Sequence, residues 1–268
     1  RRRTIRLPDV IMKPASRKRG QSLHHEHTMN KEYAVTNTRL HTSRAVGLCL
    51  CGLFAVLLPV GLRAQMTASP VSPLDPHPDD QFGFSVAVEH PYCIVGAPER
   101  NRYGDDPTAA YIFIREGSNW VQQVKLSNPT NDLNSRFGYA VAISSHTAVI
   151  GDPHYTDNGV QTGRAYVYER DETNWTQTAV LSPAGLSASD RFGFAVDLDG
   201  DRIAVCAFYG DGGADNSGTA YIFDRQGSNW TQTAILTASD AQSYDYFGAA
   251  VALDGDLCLV GAYGVDSP

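Results

Sequence analysis

Apolar and polar residues alternate along four short stretches in the last third of the chain. The stretches are 192–198, 202–208, 219–225 and 230–236. Alternation with a period of two predicts half-buried β-strands. The dipeptide Asp199-Gly200, between the first two stretches, is typical of a two-residue hairpin in which both positions take positive φ. The pattern therefore predicts four antiparallel strands and almost no helix after residue 65.

The same pattern returns at an interval of 55 residues, which marks a tandem repeat. The interval carries four Phe-Gly pairs, Phe82-Gly83, Phe137-Gly138, Phe192-Gly193 and Phe247-Gly248, and three tryptophans, Trp120, Trp175 and Trp230. Four short strands cannot bury both faces of their sheet alone, so neighbouring copies must stack. We predict an all-β fold, a β-propeller of four-stranded antiparallel blades, present as an incomplete array of three blades and the start of a fourth. In each pair, Phe should fill the space between blades and Gly should admit another backbone.

These residues resemble the FG-GAP repeats of the integrin α-subunit β-propeller and, more closely, those of many secreted bacterial proteins. Each Phe-Gly pair is followed by a Gly-Ala-Pro-like segment: Val95-Gly-Ala-Pro98, Ile150-Gly-Asp-Pro153, Val205-Cys-Ala-Phe208 and Val260-Gly-Ala-Tyr263. The resemblance covers residues 80–268 and implies that further blades complete a ring. We interpret the chain as a fragment. A short propeller closed by self-association is the alternative.

The first 64 residues differ in composition from the repeats. They hold 12 of the 22 Lys and Arg but 3 of the 29 acidic residues. Residues 29–64 read as a signal peptide, with Arg39 and Arg44 before an apolar run at 45–62. An uncleaved N-terminal anchor is the alternative. We expect residues 1–28 to be untranslated or disordered, residues 65–79 to form a linker or weak outer strand, and the protein to be secreted or displayed on the cell surface.

The chain after residue 64 is strongly acidic, with 10 basic and 26 acidic residues and a net charge of −16. Lys125 is the one lysine among the basic residues. Nucleic acids and anionic membranes require a cationic surface, so we expect no nucleic-acid partner and no membrane insertion once the signal is removed. Acidic loops that keep an exported β-protein soluble are the interpretation we favour, and a cationic partner is the alternative.

The family resemblance implies a possible calcium site, because integrin-type repeats bind calcium in the hairpin between their first two strands. The candidate ligands in that hairpin are Asp197, Asp199 and Asp201, and Asp211 and Asp215 in the loop after the second strand could separately chelate a cation weakly. Calcium takes six to eight oxygen ligands, and a two-residue hairpin cannot place them around one ion. We therefore predict a propeller without the calcium sites of the family and without another cofactor. Weak binding of a cation by these aspartates is the alternative. Cys93, Cys206 and Cys258 are expected to be small apolar fillers and not a disulfide framework.

The loops after the second and fourth strands of each blade should lie on one face, here called the loop face, with the hairpins on the other. The loop-face candidates for ligand contact are Arg102, Tyr103, Asp105, Asp106, His154, Tyr155, Asp157, Asn158, Tyr209, Asp211, Asp215 and Asn216. These loops vary while the strands repeat, as expected of a scaffold that carries different contacts. Gly, Asp and Asn are also ordinary turn formers, and for these residues that is the interpretation we favour.

The sequence contains no set of residues typical of a catalytic site, since its histidines fall on separate turns and no serine lies in a nucleophile elbow. We therefore expect a non-catalytic scaffold that binds an extracellular protein or glycan, as in cell adhesion. Two alternatives remain. The chain could be the accessory propeller of a larger exported hydrolase, as the resemblance permits, or a lectin-like module that binds glycans between blades.

Overall fold

The computed structural model describes residues 70–76, 79–99, 107–130 and 132–264. These residues form strands, turns and loops, so no helix in this part of the chain could span a membrane. The all-β prediction is confirmed. The predicted signal peptide at 29–64 and the segment 1–28 lie outside the described residues.

The first two copies each form a four-stranded antiparallel sheet. The first sheet has the order β1 (Ser85–Glu89), β2 (Tyr92–Ala97), β3 (Ala109–Glu116) and β4 (Asn119–Ser127). In the second copy the strands are β5 (Ala140–Ile143), β6 (Thr147–Asp152), β7 (Thr156–Asp157), β8 (Val160–Gln161), β9 (Arg164–Asp171) and β10 (Asn174–Leu181). The second sheet has the order β5-β6-β9-β10, and β7 and β8 form a small hairpin of their own.

The third copy forms a third sheet, and the fourth copy begins another. The third sheet has the order β11 (Phe192–Asp199), β12 (Arg202–Ala207), β13 (Thr219–Gln226) and β14 (Asn229–Leu236). The fourth sheet is the hairpin of β15 (Ala250–Asp254) and β16 (Leu257–Gly261). Four-stranded antiparallel sheets are what propeller blades require. Closure into a ring stays a prediction.

The hairpin between β11 and β12 differs by one residue from the turn predicted there. Asp199 pairs with Arg202, so the loop is Gly200-Asp201 and not Asp199-Gly200. Gly200 has a φ of +58°, whereas Asp199 and Asp201 do not have positive φ. This is the pattern of a type II′ turn, which needs one residue with positive φ at its first loop position. Asp199 keeps its extended conformation because it still belongs to the ladder.

The phenylalanines of the Phe-Gly pairs fill the layers between sheets, as predicted. Phe137 is fully buried in the core shared by the first and second sheets, and Phe192 in that of the second and third. Each ring meets a tyrosine edge-on, with centroids 5.3 Å apart for Phe137 and Tyr166 and 5.4 Å for Phe192 and Tyr221. Edge-to-face packing adds to the stabilisation gained by burial.

The glycines of these pairs allow close contact between backbones. Gly138 has a φ of +93°, and a Cβ added there would lie 2.3 Å from the carbonyl oxygen of Ala109 in the preceding copy. A Cβ on Gly193 would lie 2.2 Å from the Arg164 oxygen. Both the positive φ and the close backbone oxygen therefore exclude a side chain at these two positions.

A β-bulge interrupts each complete fourth strand, and in the first sheet its extra residue contacts the next copy. Gln123 is skipped by the ladder between β3 and β4, and Thr178 by the ladder between β9 and β10. The indole nitrogen of Trp175 donates to Gln123 Oε1 at 2.9 Å. In the next copy Thr178 replaces that glutamine, and the buried indole nitrogen of Trp230 has no hydrogen-bond partner.

Two arginines at equivalent positions reach back to the preceding sheet. Arg225 on β13 lies 2.7 Å from Glu169 Oε1, and its Nη2 donates to Thr147 Oγ1 at 3.1 Å. Arg170 on β9 lies 5.0 Å from the centre of the Tyr92 ring. The two cations therefore link neighbouring sheets near their hairpin ends.

Candidate functional site

The structure describes two of the three predicted loops. Arg102, Tyr103, Asp105 and Asp106 lie outside the described residues. The second loop joins β6 to β9 and contains His154, Tyr155, Asp157 and Asn158, and the third joins β12 to β13 and contains Tyr209, Asp211, Asp215 and Asn216. These loops and the connections that precede β5, β11 and β15 lie at the same ends of the sheets.

In the second loop, three of the predicted residues are used within the loop itself. Tyr155 is buried, and the guanidinium of Arg164 lies 3.8 Å from the centre of its ring. Asp157 Oδ2 lies 3.8 Å from Arg164 Nη2. Asn158 has a φ of +48° in the turn between β7 and β8. These residues hold the small hairpin together, and Asp157 and Asn158 remain exposed.

In the third loop, the aspartates and the asparagine act as turn formers. Asp211 Oδ1 accepts a hydrogen bond from the backbone nitrogen of Asn216 at 2.8 Å. The carbonyl oxygen of Asp215 accepts one from the backbone nitrogen of Tyr244, in the next connection, at 3.0 Å. The carboxylates of Asp211 and Asp215 are exposed on a loop that is ordered by its own backbone.

The fourth member of that loop, Tyr209, belongs to a group of five rings at the junction of the third and fourth copies. We call Phe194, Phe208, Tyr209, Tyr246 and Tyr263 the aromatic cluster. Phe208 is buried at its centre, stacked on Phe194 at 4.2 Å and on Tyr246 at 4.8 Å between centroids. Tyr209 lies 4.7 Å and Tyr263 5.6 Å from Phe208. The cluster thus brings together residues from three connections.

The row of rings extends from this cluster towards the first copy. Tyr139 lies 5.1 Å from Phe194, and Phe84 lies 4.9 Å from Tyr139. Phe84, Tyr139 and Phe194 hold the same repeat position, which directly precedes β1 and β5 in the first two copies and lies near the start of β11 in the third. The loop face therefore carries a continuous row of aromatic side chains from the first copy to the fourth.

Two arginines next to this row give it positive charge. Arg136 and Arg191 each precede a Phe-Gly pair. Arg136 forms an ion pair with Glu99, while Arg191 lies 4.7 Å from the centre of the Tyr209 ring. Burial, together with these two arginines, lowers the pKa of His154 to about 4. His154 is therefore neutral at neutral pH.

A buried carboxylate lies below His154. Asp152 is fully buried, and it accepts hydrogen bonds from Ser135 Oγ at 2.6 Å and from the backbone nitrogen of Arg136 at 2.7 Å. Burial raises its pKa to about 6, although these hydrogen bonds favour the ionised form. The other three copies place a buried aspartate at the position of Ser135 and an alanine at that of Asp152, namely Asp80, Asp190 and Asp245 with Ala97, Ala207 and Ala262. The second copy therefore supplies the carboxylate from the end of its second strand, β6, whereas the other copies supply it from the connection before their first strand.

The predicted cation ligands on the hairpin face contact protein groups. Asp197 Oδ2 accepts from the backbone nitrogen of Leu253 at 2.6 Å, and Asp199 Oδ2 from that of Gly255 at 2.5 Å. Asp201 Oδ1 lies 3.1 Å from Arg225 Nε. Asp197 and Asp199 therefore join the third sheet to the fourth, whereas Asp201 pairs within the third sheet. No group of three or more His, Cys, Asp or Glu side chains with metal-binding geometry occurs within the described ranges.

Sequence reasoning found Tyr209 and His154 but missed the residues around them, Arg191, Phe194, Phe208, Tyr246 and Tyr263. A signal for four of the five cluster rings was present in the repeat. Phe208 and Tyr263 stand where the first two copies have Pro98 and Pro153. Tyr246 replaces the arginine of the two preceding copies, and Tyr209 replaces His154. These aromatic departures from the repeat are brought into contact by the fold.

The chain matches the sequence model of a known repeat family. The sequence profile of the FG-GAP repeat matches at residues 66–113, 120–168, 175–223 and 230–268. Each complete match after the first starts in the fourth strand of one sheet and ends in the third strand of the next. No curated protein matches the chain.

Proposed function

Because the chain belongs to the FG-GAP repeat family, whose repeats occur in extracellular adhesion-type propellers, we propose that it is a secreted or cell-surface binding scaffold. The scaffold engages an extracellular protein or glycan through its loop face and catalyses no reaction. The family resemblance supports the export and the architecture, and the site supports the binding role.

The observation that carries this proposal is the difference between the two ends of the sheets. At the hairpin end, charged side chains pair with one another, as Arg202 does with Asp224 at 2.7 Å and with Asp256 at 3.2 Å. At the loop end, a row of aromatic rings runs across the copies from Phe84, and the guanidinium of Arg191 lies 4.7 Å from the centre of the Tyr209 ring. Exposed aromatic and arginine side chains are the types enriched in binding sites.

Blocking each face in turn tests the proposal. A background with Cys49→Ser and Cys51→Ser removes the thiols outside the described residues, and burial raises the pKa of Cys93 to about 11, which suppresses its reaction. Asp215→Cys then places a thiol on the loop face and Ser228→Cys places one on the hairpin face. Each is coupled to a large polyethylene glycol maleimide.

The labelled 268-residue chain is then applied to arrays of glycans and extracellular matrix proteins. We expect polymer at position 215 to abolish binding and polymer at position 228 to leave it unchanged. Absence of binding to every arrayed molecule, or loss of binding with the polymer at position 228 alone, would contradict the proposal.

A further inference from the structure

Two tripeptides of the chain have the form Asn-x-Thr, which is the acceptor motif for N-linked glycans. They are Asn174-Trp-Thr176 and Asn229-Trp-Thr231, one repeat apart. The first copy has Asn119-Trp-Val121 at the equivalent place. Asparagine and tryptophan therefore recur in three copies, whereas the sheet does not require threonine at the third position, since valine takes its place in the first copy.

Both asparagines are exposed at the start of an outer strand. Asn174 begins β10 and Asn229 begins β14, each directly after a two-residue hairpin loop. Side chains two residues apart on a strand point to the same side. Thr176 and Thr231 are accordingly exposed too, while Trp175 is buried in the core shared with the preceding sheet. Each asparagine and its threonine thus lie on one accessible side of the strand.

A third tripeptide, Asn128-Pro-Thr130, provides an internal contrast. Proline at the middle position excludes it from the motif. Its asparagine also has another role, because Asn128 Oδ1 accepts hydrogen bonds from the backbone nitrogen and the hydroxyl of Thr130, both at 2.9 Å. Asn128 therefore stabilises a turn, as asparagine commonly does, and we expect no glycan on it.

The position of the two motifs on the sheets suits a bulky polar group. β10 and β14 are the outer strands of the second and third sheets. An outer strand offers unpaired backbone groups to other chains, and proteins commonly cover or block such edges. A glycan on the first residue of each strand extends into the solvent beside that edge. It also lies at the hairpin end, and so leaves the loop face free.

We propose that Asn174 and Asn229 carry N-linked glycans. An oligosaccharyltransferase catalyses the reaction, and an oligosaccharide on a polyprenyl diphosphate is the donor. Asparagine Nδ2 forms a bond to the anomeric carbon C1 of the first sugar, the bond from C1 to the diphosphate oxygen breaks, and the lipid diphosphate leaves. The proton lost from Nδ2 goes to a base of the transferase. The reaction requires export of the chain, so the inference rests on the exported location in the proposed function.

The test produces the 268-residue chain in insect cells behind a cleavable secretion signal. Its mobility on a denaturing gel is measured before and after an amidase releases N-linked glycans. Secreted and cell-retained material are both analysed, because transfer occurs as the chain enters the secretory compartment. We expect the native chain to carry two glycans, Asn174→Gln and Asn229→Gln to carry one each, and the double variant to carry none.

Matched variants in the first copy test whether the threonine hydroxyl decides the outcome. Val121→Thr completes a third motif at Asn119 and should add one glycan, whereas Val121→Ala should add none. Val121 is 42% exposed, so the sheet should tolerate both substitutions. Melting temperatures measured after removal of the glycans establish that each variant is folded.

Protein isolated from its natural source gives a second measurement. Enzymatic release of the glycans in water enriched in heavy oxygen converts each glycosylated asparagine into an aspartate that carries the label, and mass spectrometry of the peptides locates it. We expect label at positions 174 and 229 and unlabelled asparagine at positions 119 and 128.

Three results would overturn the inference: no glycan on the chain from insect cells, native mobility of both single variants, or unlabelled asparagine at both positions in protein from the natural source. In each of these cases the proposed function stands as long as polymer at position 215 blocks binding. If the glycans are present and polymer at that position blocks nothing, the inference stands and the proposed function fails.

Discussion

Asp152 makes the stability of the second sheet depend on pH in a direction opposite to that of most carboxylates. Its pKa is about 6 in the folded protein, against an ordinary value of 3.8 for aspartate. Because the pKa is higher in the folded than in the unfolded chain, the stabilising contribution of Asp152 to the free energy of unfolding is fully present below pH 3.8. It is lost as the pH rises through 6. A shift of about two pKa units corresponds to about 3 kcal/mol of unfolding free energy.

A second group acts in the same pH window with the opposite sign. Burial lowers the pKa of His154 from 6.5 to about 4. Its contribution is present above pH 6.5 and is lost as the pH falls towards 4. The pH dependence of the unfolding free energy of the native chain contains both effects. The same measurement on Asp152→Asn is therefore needed to separate them.

We propose to measure unfolding by urea between pH 4 and 7.5 from tryptophan fluorescence. The difference between the native chain and Asp152→Asn cancels His154 and every other titrating group that both share. We expect the native chain to lose about 3 kcal/mol relative to the variant between pH 4 and 7, with no further change above that. Asparagine retains an acceptor for the Arg136 backbone nitrogen, so the variant should fold. If the difference in unfolding free energy between the native chain and Asp152→Asn stayed constant with pH, this account of Asp152 would be refuted. The same holds if the native chain became more stable than the variant as the pH rises.

Three further substitutions test the contacts between sheets, each by urea unfolding. Arg225→Ala removes a half-buried cation from two carboxylates and should cost about 2 kcal/mol, whereas Arg115→Ala, at the same position in the first copy, should cost less than about 0.5 kcal/mol. Gly138→Ala puts a Cβ against a backbone oxygen and should cost about 3 kcal/mol or more, whereas Gly83→Ala has a similar φ and open space and should cost about 1 kcal/mol. Thr178→Gln gives the buried indole of the third sheet an acceptor and should stabilise by about 1 kcal/mol. Equal costs within either pair, or no gain from the glutamine, would contradict these assignments.

Much of the fold could be predicted because the sheet imposes a period of two on its strands and the stacking imposes a period of 55 on the chain. The stretch predicted at 202–208 is β12 at Arg202–Ala207, and that at 219–225 is β13 at Thr219–Gln226. The turn at Gly200 was misplaced by one residue because composition alone does not distinguish the last paired residue of a strand from the first residue of a turn.

The site was predictable only in part, because its members are distant in sequence. Tyr209 and Tyr246 come from separate connections, and their rings lie 5.6 Å apart because the third sheet packs against the fourth. Neither the alternation of apolar and polar residues nor the residues typical of turns predict this contact between two distant rings. Asp211 and Asp215 were selected because polar loop residues are frequent in sites, yet Asp211 caps the backbone of its own loop.

One packing change connects the scaffold to the site. At the position of Gly96 and Gly151, where a Cβ would lie 2.0 Å from the oxygen of the next copy, the third copy has Cys206. The contact of Gly248 is accordingly looser, since a Cβ there would lie 3.3 Å from the Thr219 oxygen, compared with 2.3 Å at the equivalent contact of Gly138, although Gly218 stays close to Phe247 across the same junction. Tyr246 stands two residues before Gly248 and stacks on Phe208. The cysteine at position 206 therefore accompanies the looser contact of Gly248, two residues from the Tyr246 ring that stacks on Phe208.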